Sequence, residues 1–140
     1  MGFSLEVQNK TNFKISKKIF LEILNQLKKN VKASGSISLA LVGVSEIHKL
    51  NKNYRHKDKV TDVLSFPTFE GERVPGGVMG ELGDIVISPA VVKKKFGREY
   101  GRRLRHLFLH GTLHLLGYDH QKNEEAKKME KLEEKILKYV

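Results

Sequence analysis

The chain contains no cysteine and no tryptophan, and only three of its 140 residues are proline. The absence of cysteine excludes a disulfide scaffold, a thiolate zinc ribbon, an iron–sulfur protein and a cysteine nucleophile. Any metal site must therefore use His, Asp or Glu. No run approaches the roughly 18 apolar residues of a membrane span, and the N-terminal MGFSLEVQNK lacks the layout of a signal peptide. These absences predict a cytoplasmic protein with no membrane partner.

Acidic residues are in deficit, because 26 Lys and Arg against 16 Asp and Glu give a net charge of +10. The excess is concentrated in KKKFGREYGRRLR (93–105), which favours a phosphate-contacting patch. A solubilising surface and an anionic membrane surface are the alternatives for this basic run. By contrast, the mixed Lys and Glu of residues 121–140 are typical of a solvated helix face. The candidate phosphate contacts are Lys93, Lys94, Lys95, Arg98, Arg102 and Arg103.

Hydrophobic periodicity predicts one α+β or mixed α/β domain over residues 1–140, with a four-stranded mixed sheet and about five helices. The predicted strands cover residues 3–7, 37–44, 60–66 and 83–88. Helices are expected after Ser16 to about 31, at 45–53, 89–96 and 98–116, and at the charged C-terminus. A loop rich in Pro and Gly separates the third and fourth strands at 67–80.

The segment HLFLHGTLHLLGYDH (106–120) carries the main chemical signal. His110 and His114 lie four apart on a predicted helix, so their rings project from one face and can bind one cation. Gly117 is expected to break the helix with left-handed backbone geometry, which lets the chain present His120 as a third ligand. Three imidazoles leave one coordination position open, which favours a catalytic or substrate-binding zinc over a structural one.

Other histidines and acids near this segment have simpler interpretations. A lone buried histidine is usually a satisfied core residue, and His48, His56 and His106 are expected to need no special account. His106 is the alternative ligand if the turn does not return His120. Asp84 and Asp119 are either orienting partners of imidazole or simply a helix cap and a turn residue.

Three sequence blocks together resemble one known family. HGTLHLLGYDH (110–120) resembles the metal-binding signature of the YbeY family, bacterial single-domain endoribonucleases of ribosomal RNA maturation. YRHKDKVTDVLSFP (54–67) and GELGDIVIS (80–88) resemble two further blocks of the family, in the same order. The resemblance implies a zincin-like α+β fold with a central metal-binding helix, and one zinc on His110, His114 and His120. It also implies an enzyme that cuts single-stranded RNA, acting in 3′-end maturation of the small-subunit rRNA and in ribosome quality control.

The same resemblance places Arg55 on the functionally important arginine of the family, so Arg55 and His114 are the candidate catalytic residues. Arg55 could pair bidentately with a phosphate and stabilise its developing charge. The alternative is a surface arginine that closes a helix. The general base is not assigned. The basic run would hold the RNA backbone with little sequence preference, so ribosomal RNA is the expected partner and no specificity for DNA is expected.

Two other functions compete with RNA cleavage. A non-catalytic RNA-binding factor of ribosome assembly, with a structural metal, would have the same composition. A metallopeptidase-like hydrolase is disfavoured because zincins read HExxH, in which the Glu is the general base. In this chain Gly111 occupies that position and cannot accept a proton.

Overall fold

The structure is a computed structural model that describes residues 2–68, 80–118 and 123–140. Within these residues the predicted order of elements is confirmed, as is the α+β class. The strands are β1 (Phe3–Asn9), β2 (Gly35–Leu41), β3 (Val63–Pro67) and β4 (Glu81–Ile87). The helices are α1 (Lys18–Lys28), α2 (Val44–Arg55), α3 (Pro89–Phe96), α4 (Tyr100–Leu115) and α5 (Asn123–Leu137), with a 3-10 turn at Gly97–Glu99.

The four strands form one mixed sheet in the order β1-β2-β4-β3. β1 pairs with β2 and β2 with β4 in parallel, whereas β3 runs antiparallel to β4 at the edge of the sheet. Pro67 ends β3 opposite Gly83 of β4. An edge strand tolerates this proline because one of its sides makes no ladder hydrogen bonds. The short strand β3 therefore forms one edge of the sheet.

Alternation along the strands divides the core into two layers. Residues such as Leu39, Ile85 and Ile87 face α1, α4 and α5 in the larger layer. Leu64 and Val86 face the other way and pack with Ile47 of α2 in the smaller layer. The sheet is therefore covered on both faces, and α4 lies on the face opposite α2.

Helix α4 approaches the sheet closely because position 111 has no side chain. A Cβ on Gly111 would stand 3.2 Å from Cδ1 of Ile85, which is tighter than ordinary van der Waals contact. The phenyl rings of Phe108 and Phe20 lie 5.0 Å apart between their centroids and join α4 to α1. These contacts fix α4 against β4, and with it the half-buried histidines of α4.

The predicted end of this helix at Gly117 is confirmed. Gly117 has a φ of 95°, and the Tyr118 N–H donates to the Leu113 carbonyl at 3.0 Å. This bond closes a Schellman motif, in which glycine takes the positive φ at no steric cost. Residues 119–122 follow directly, so His120 and Asp119 lie outside the described residues, as do residues 69–79 of the predicted loop.

No helix in the described ranges is both long and apolar enough to cross a bilayer.

Gly83 gives a stability prediction, because its φ is +144° and a Cβ there would stand 2.3 Å from the Phe66 carbonyl oxygen. Gly83→Ala forces the β3–β4 ladder apart at a backbone that alanine adopts only with strain. We expect the free energy of unfolding to fall by about 2 kcal/mol or more, as measured by urea denaturation. Gly80→Ala is the matched control, since nothing lies within 4 Å of its Cβ position. Equal midpoints for the two variants would contradict this account.

Candidate active site

His110 and His114 face one another on one side of α4. Their Nε2 atoms lie 3.1 Å apart, and both side chains are half-buried. Because the two residues are one helical turn apart, the same stripe of α4 carries both rings. Two neutral imidazole nitrogens at this separation suit a divalent ion bound by both at about 2.0–2.1 Å. The pair therefore fits the donor set of a zinc site, in a chain that contains no cysteine.

The second nitrogen of His110 points toward α5. Its Nδ1 lies 3.1 Å from Oε2 of Glu133, and Nε2 of His106 lies 2.8 Å from the same oxygen. One carboxylate on α5 therefore joins two histidines of α4. Glu133 is only 7% exposed, which makes it a buried acid with a specific pair of partners. In the described part of the chain, His106, His110 and Glu133 are the group whose ligand atoms lie within 4.8 Å of one another.

The hydrogen bonds with His106 and His110 favour the ionised form of Glu133. Burial by itself raises the pKa of Glu133, but hydrogen bonds with His106 and His110 outweigh burial and lower that pKa from 4.5 to about 2. Glu133 is therefore ionised at neutral pH. An ionised carboxylate only accepts hydrogen bonds, so both histidines present N–H groups to it.

A cleft of about 520 Å³ opens beside the histidine pair. Its walls are formed by the C-terminal part of α2, the segment 57–61 that follows it, and β3. The last turn of α3 and the histidine-bearing side of α4 complete them. Arg55 lines this cleft together with His110 and His114, so the fold brings the predicted arginine to the predicted metal pair. Arg55 is also the last residue of α2, and its Nη2 donates to the Ser65 carbonyl. Its guanidinium lies 5.5 Å from the centroid of the Phe66 ring.

The cleft is positively charged. Besides Arg55, it is lined by Lys57, Lys59 and Lys95, and the described residues that line it include no Asp or Glu. Lys95 pairs with Asp62 at 3.6 Å. A row of cations along a groove attracts a polyanion and tracks its backbone. The basic side chains and the histidine pair therefore line the same cleft.

A family model described as Endoribonuclease YbeY matches residues 4–140. The chain belongs to the YbeY family. Two curated relatives named Endoribonuclease YbeY come from Francisella tularensis subsp. novicida (strain U112) and subsp. tularensis (strain FSC 198). Each is 43% identical to this chain over 105 residues, or 72% of the chain. These matches span 65% and 62% of the two proteins, so the chain covers less than two thirds of their length.

A solved structure supports the fold of this YbeY-family chain. The solution structure of TM1509 from Thermotoga maritima is 26% identical and superposes with a TM-score of 0.55. The similarity covers 94% of this chain and 88% of that protein. The α+β arrangement with its mixed sheet is therefore shared with a known structure.

The predicted phosphate contacts of the basic run are dispersed in this YbeY-family structure. Lys95 lines the cleft, whereas Lys93 lies about 6 Å from the ring centroids of Phe13 and Tyr100. Lys94, Arg98 and Arg102 are exposed, and Arg102 pairs with Glu99 at 3.9 Å. Arg103 is half-buried, and its Nη1 lies 2.8 Å from Nδ1 of His106.

Sequence reasoning missed two residues of the site. His106 is predicted to be a satisfied residue without a special role, and the structure gives it two partners, Arg103 and a glutamate that also contacts His110. The interpretation of the Lys and Glu of residues 121–140 as an ordinary solvated helix face is wrong for Glu133, which is buried. The available signal was its position, since Met129, Glu133 and Ile136 follow helical spacing on the buried stripe of α5. Asp84 was a candidate imidazole partner, but it lines a separate groove with Glu6 and Ser38.

Proposed function

We propose that this chain is a zinc-dependent endoribonuclease that cuts single-stranded RNA in the cytoplasm, at the 3′ end of the small-subunit rRNA. The observation that carries the proposal is the facing pair of Nε2 atoms of His110 and His114, 3.1 Å apart in a cleft lined by four basic side chains. Membership of the YbeY family, whose curated relatives are named endoribonucleases, supports the same function.

The residues that would hold the metal are His110, His114 and His120. The Nε2 atoms of the first two lie 3.1 Å apart, and the Schellman motif that ends α4 at Gly117 comes three residues before the third in the sequence. When bound, zinc would supply a Lewis acid for a phosphoryl oxygen and would lower the pKa of a coordinated water. Gly111 stands where a metallopeptidase of the HExxH type carries its glutamate base, so the histidine pair favours RNA cleavage over peptide cleavage.

Arg55 is suited to hold the reacting phosphate. Its guanidinium stays charged at any working pH and carries five N–H donors, of which one binds the Ser65 carbonyl. That hydrogen bond and the contact with the Phe66 ring hold the guanidinium against the edge strand β3. A positioned guanidinium stabilises charge that develops on the phosphate in the transition state. Arg55 is the last residue of α2 and also lines the cleft, and its place in the cleft supports the catalytic interpretation.

Lys57 and Lys59 are suited to bind the RNA backbone, because both line the cleft beside the histidine pair. If they contact phosphates, RNA affinity falls with salt by about 0.7 log units per log unit for each contact on single strands. We expect the double variant Lys57→Gln/Lys59→Gln to reduce that slope by about 1.4, measured by fluorescence anisotropy at several salt concentrations. Lys94→Gln/Arg98→Gln is the control, since both residues are exposed outside the cleft. A larger change in the control would place the RNA on the basic run instead.

The proposed substrate is tested with a small-subunit rRNA precursor that carries a 3′ extension. We expect purified protein to cut within the single-stranded extension and to leave a duplex of the same sequence intact. Fragment ends are mapped by primer extension. RNA that is bound but stays uncut in the presence of zinc would favour the non-catalytic ribosome-assembly factor. Equal cutting of strand and duplex would contradict the single-strand specificity.

A further inference from the structure

A continuous chain of hydrogen-bonding groups runs from the basic run into the histidine pair. Nη1 of Arg103 lies 2.8 Å from Nδ1 of His106, and Nε2 of His106 lies 2.8 Å from Oε2 of Glu133. The same oxygen lies 3.1 Å from Nδ1 of His110. Finally, Nε2 of His110 lies 3.1 Å from Nε2 of His114. The chain crosses from α4 to α5 and back.

The direction of each hydrogen bond follows from its charged members. An arginine guanidinium only donates, so Nδ1 of His106 must accept. The proton of a neutral His106 ring then resides on Nε2, which donates to Glu133. The same carboxylate oxygen of Glu133 lies within hydrogen-bond distance of Nδ1 of His110 and accepts from it as well, so Nδ1 of His110 carries a proton. The Nε2 atom of a neutral His110 is consequently left with its lone pair, on the side that faces His114.

We propose that Arg103, His106 and Glu133 form a positioning chain that locks His110 in the tautomer with the proton on Nδ1, so that Nε2 is available as a metal ligand. This inference rests on the proposed metal site at His110 and His114. It gives Arg103 a role in holding the site together, distinct from the phosphate contact predicted from the sequence. Carboxylates that receive the outer N–H of a ligating histidine commonly change metal affinity by about 10- to 100-fold.

The packing around Arg103 supports a role in positioning His106 rather than in binding phosphate. Its guanidinium lies 4.4 Å from the centroid of the Phe96 ring, and a cation stacked on an aromatic face in this way is held in place. The positive charge also disfavours a divalent ion at His106, whose Nδ1 it contacts. The group of His106, His110 and Glu133 is therefore better explained as hydrogen-bonded partners than as the ligands of an ion.

The test compares Glu133→Leu with Glu134→Leu, an exposed glutamate one position along α5. Zinc affinity is measured by competition with a chromophoric chelator. The tautomer of His110 is measured in zinc-free protein by long-range ¹H–¹⁵N NMR. For Glu133→Leu we expect about 10- to 100-fold weaker zinc binding and a mixture of His110 tautomers. Glu134→Leu is expected to match wild type in both measurements.

Arg103→Met provides a second test if Glu133→Leu does not fold, because methionine keeps the contact with Phe96 and removes the donor. We expect this variant to mix the tautomers of His106 and to weaken zinc binding less than the loss of Glu133. Unchanged His110 tautomer and zinc affinity in the variants that fold would overturn the proposal. Zinc that is retained by His114→Ala and lost by Glu133→Leu would also overturn it, by making Glu133 a ligand.

The zinc and tautomer measurements, together with an RNA cleavage assay, separate this inference from the proposed function. Wild-type protein that binds zinc in the expected tautomer, loses zinc affinity in Glu133→Leu and yet leaves RNA intact would support the positioning chain. That result would contradict the proposed ribonuclease function and would leave the positioning chain intact.

Discussion

His114→Ala is expected to remove tight zinc binding and RNA cleavage together. The variant deletes one of the two Nε2 atoms that face each other at 3.1 Å, and the remaining ligands cannot hold the ion in place. A metal that polarises a phosphoryl oxygen contributes several kcal/mol to transition-state stabilisation. A loss of about 4 kcal/mol corresponds to a rate about a thousandfold lower. Elemental analysis gives the zinc content per chain, and a labelled RNA gives the rate.

His48→Ala is the matched control for this prediction. His48 lies on α2, where its Nε2 pairs with the exposed Asp58 at 2.7 Å, and it does not line the cleft. We expect this variant to retain both zinc and cleavage. Full zinc content in His114→Ala, or equal losses in the two variants, would show that the metal does not reside on the pair in α4.

Arg55→Lys is expected to slow cleavage strongly while zinc content and fold are retained. Lysine keeps the positive charge and loses the planar fork that matches two phosphate oxygens. One contact of this type, made mainly in the transition state, is worth about 2.7–4 kcal/mol, or about 10²- to 10³-fold in kcat. Affinity for intact RNA should change much less than turnover, because the lost interaction forms as charge develops. Single-turnover cleavage and RNA binding measured on the same samples separate the two effects.

Arg98→Lys is the control for the arginine prediction, since Arg98 is exposed and lies outside the cleft. It should cleave at the wild-type rate. Wild-type cleavage by Arg55→Ala with zinc still bound would return Arg55 to the role of a surface residue that closes α2. A proportional loss of RNA binding and cleavage would instead make it a ground-state contact.

The parts of the site that were predictable from the sequence depend on local spacing. His110 and His114 are one turn apart, so a helical pattern alone places both rings on one face. Gly117 likewise marks the end of α4 through the local requirement for positive φ, and the structure shows that φ to be 95°. Strand and helix order followed from periodicity in the same way, because each element carries its own pattern.

The contributions from distant elements were not predictable in this way. Glu133 reaches His110 only because α5 packs on α4. The helical spacing of Met129, Glu133 and Ile136 indicates the buried stripe of α5, but it does not indicate which residues that stripe meets. Lys57 and Lys59 border the cleft because β3 lies at the sheet edge next to α4, which no local pattern encodes. The local density of charge pointed to the basic run instead. Tertiary packing therefore decided which charged residues surround the histidines.

The most direct test of metal-dependent RNA cleavage is a zinc titration of chelator-treated protein with small-subunit rRNA as substrate. We expect no cleavage without metal, recovery that saturates at one zinc per chain, and no recovery in His114→Ala at the same zinc concentrations. Suppose that elemental analysis shows the chelator-treated protein to contain no zinc. Cleavage by that protein at the rate of the untreated protein would contradict metal-dependent RNA cleavage.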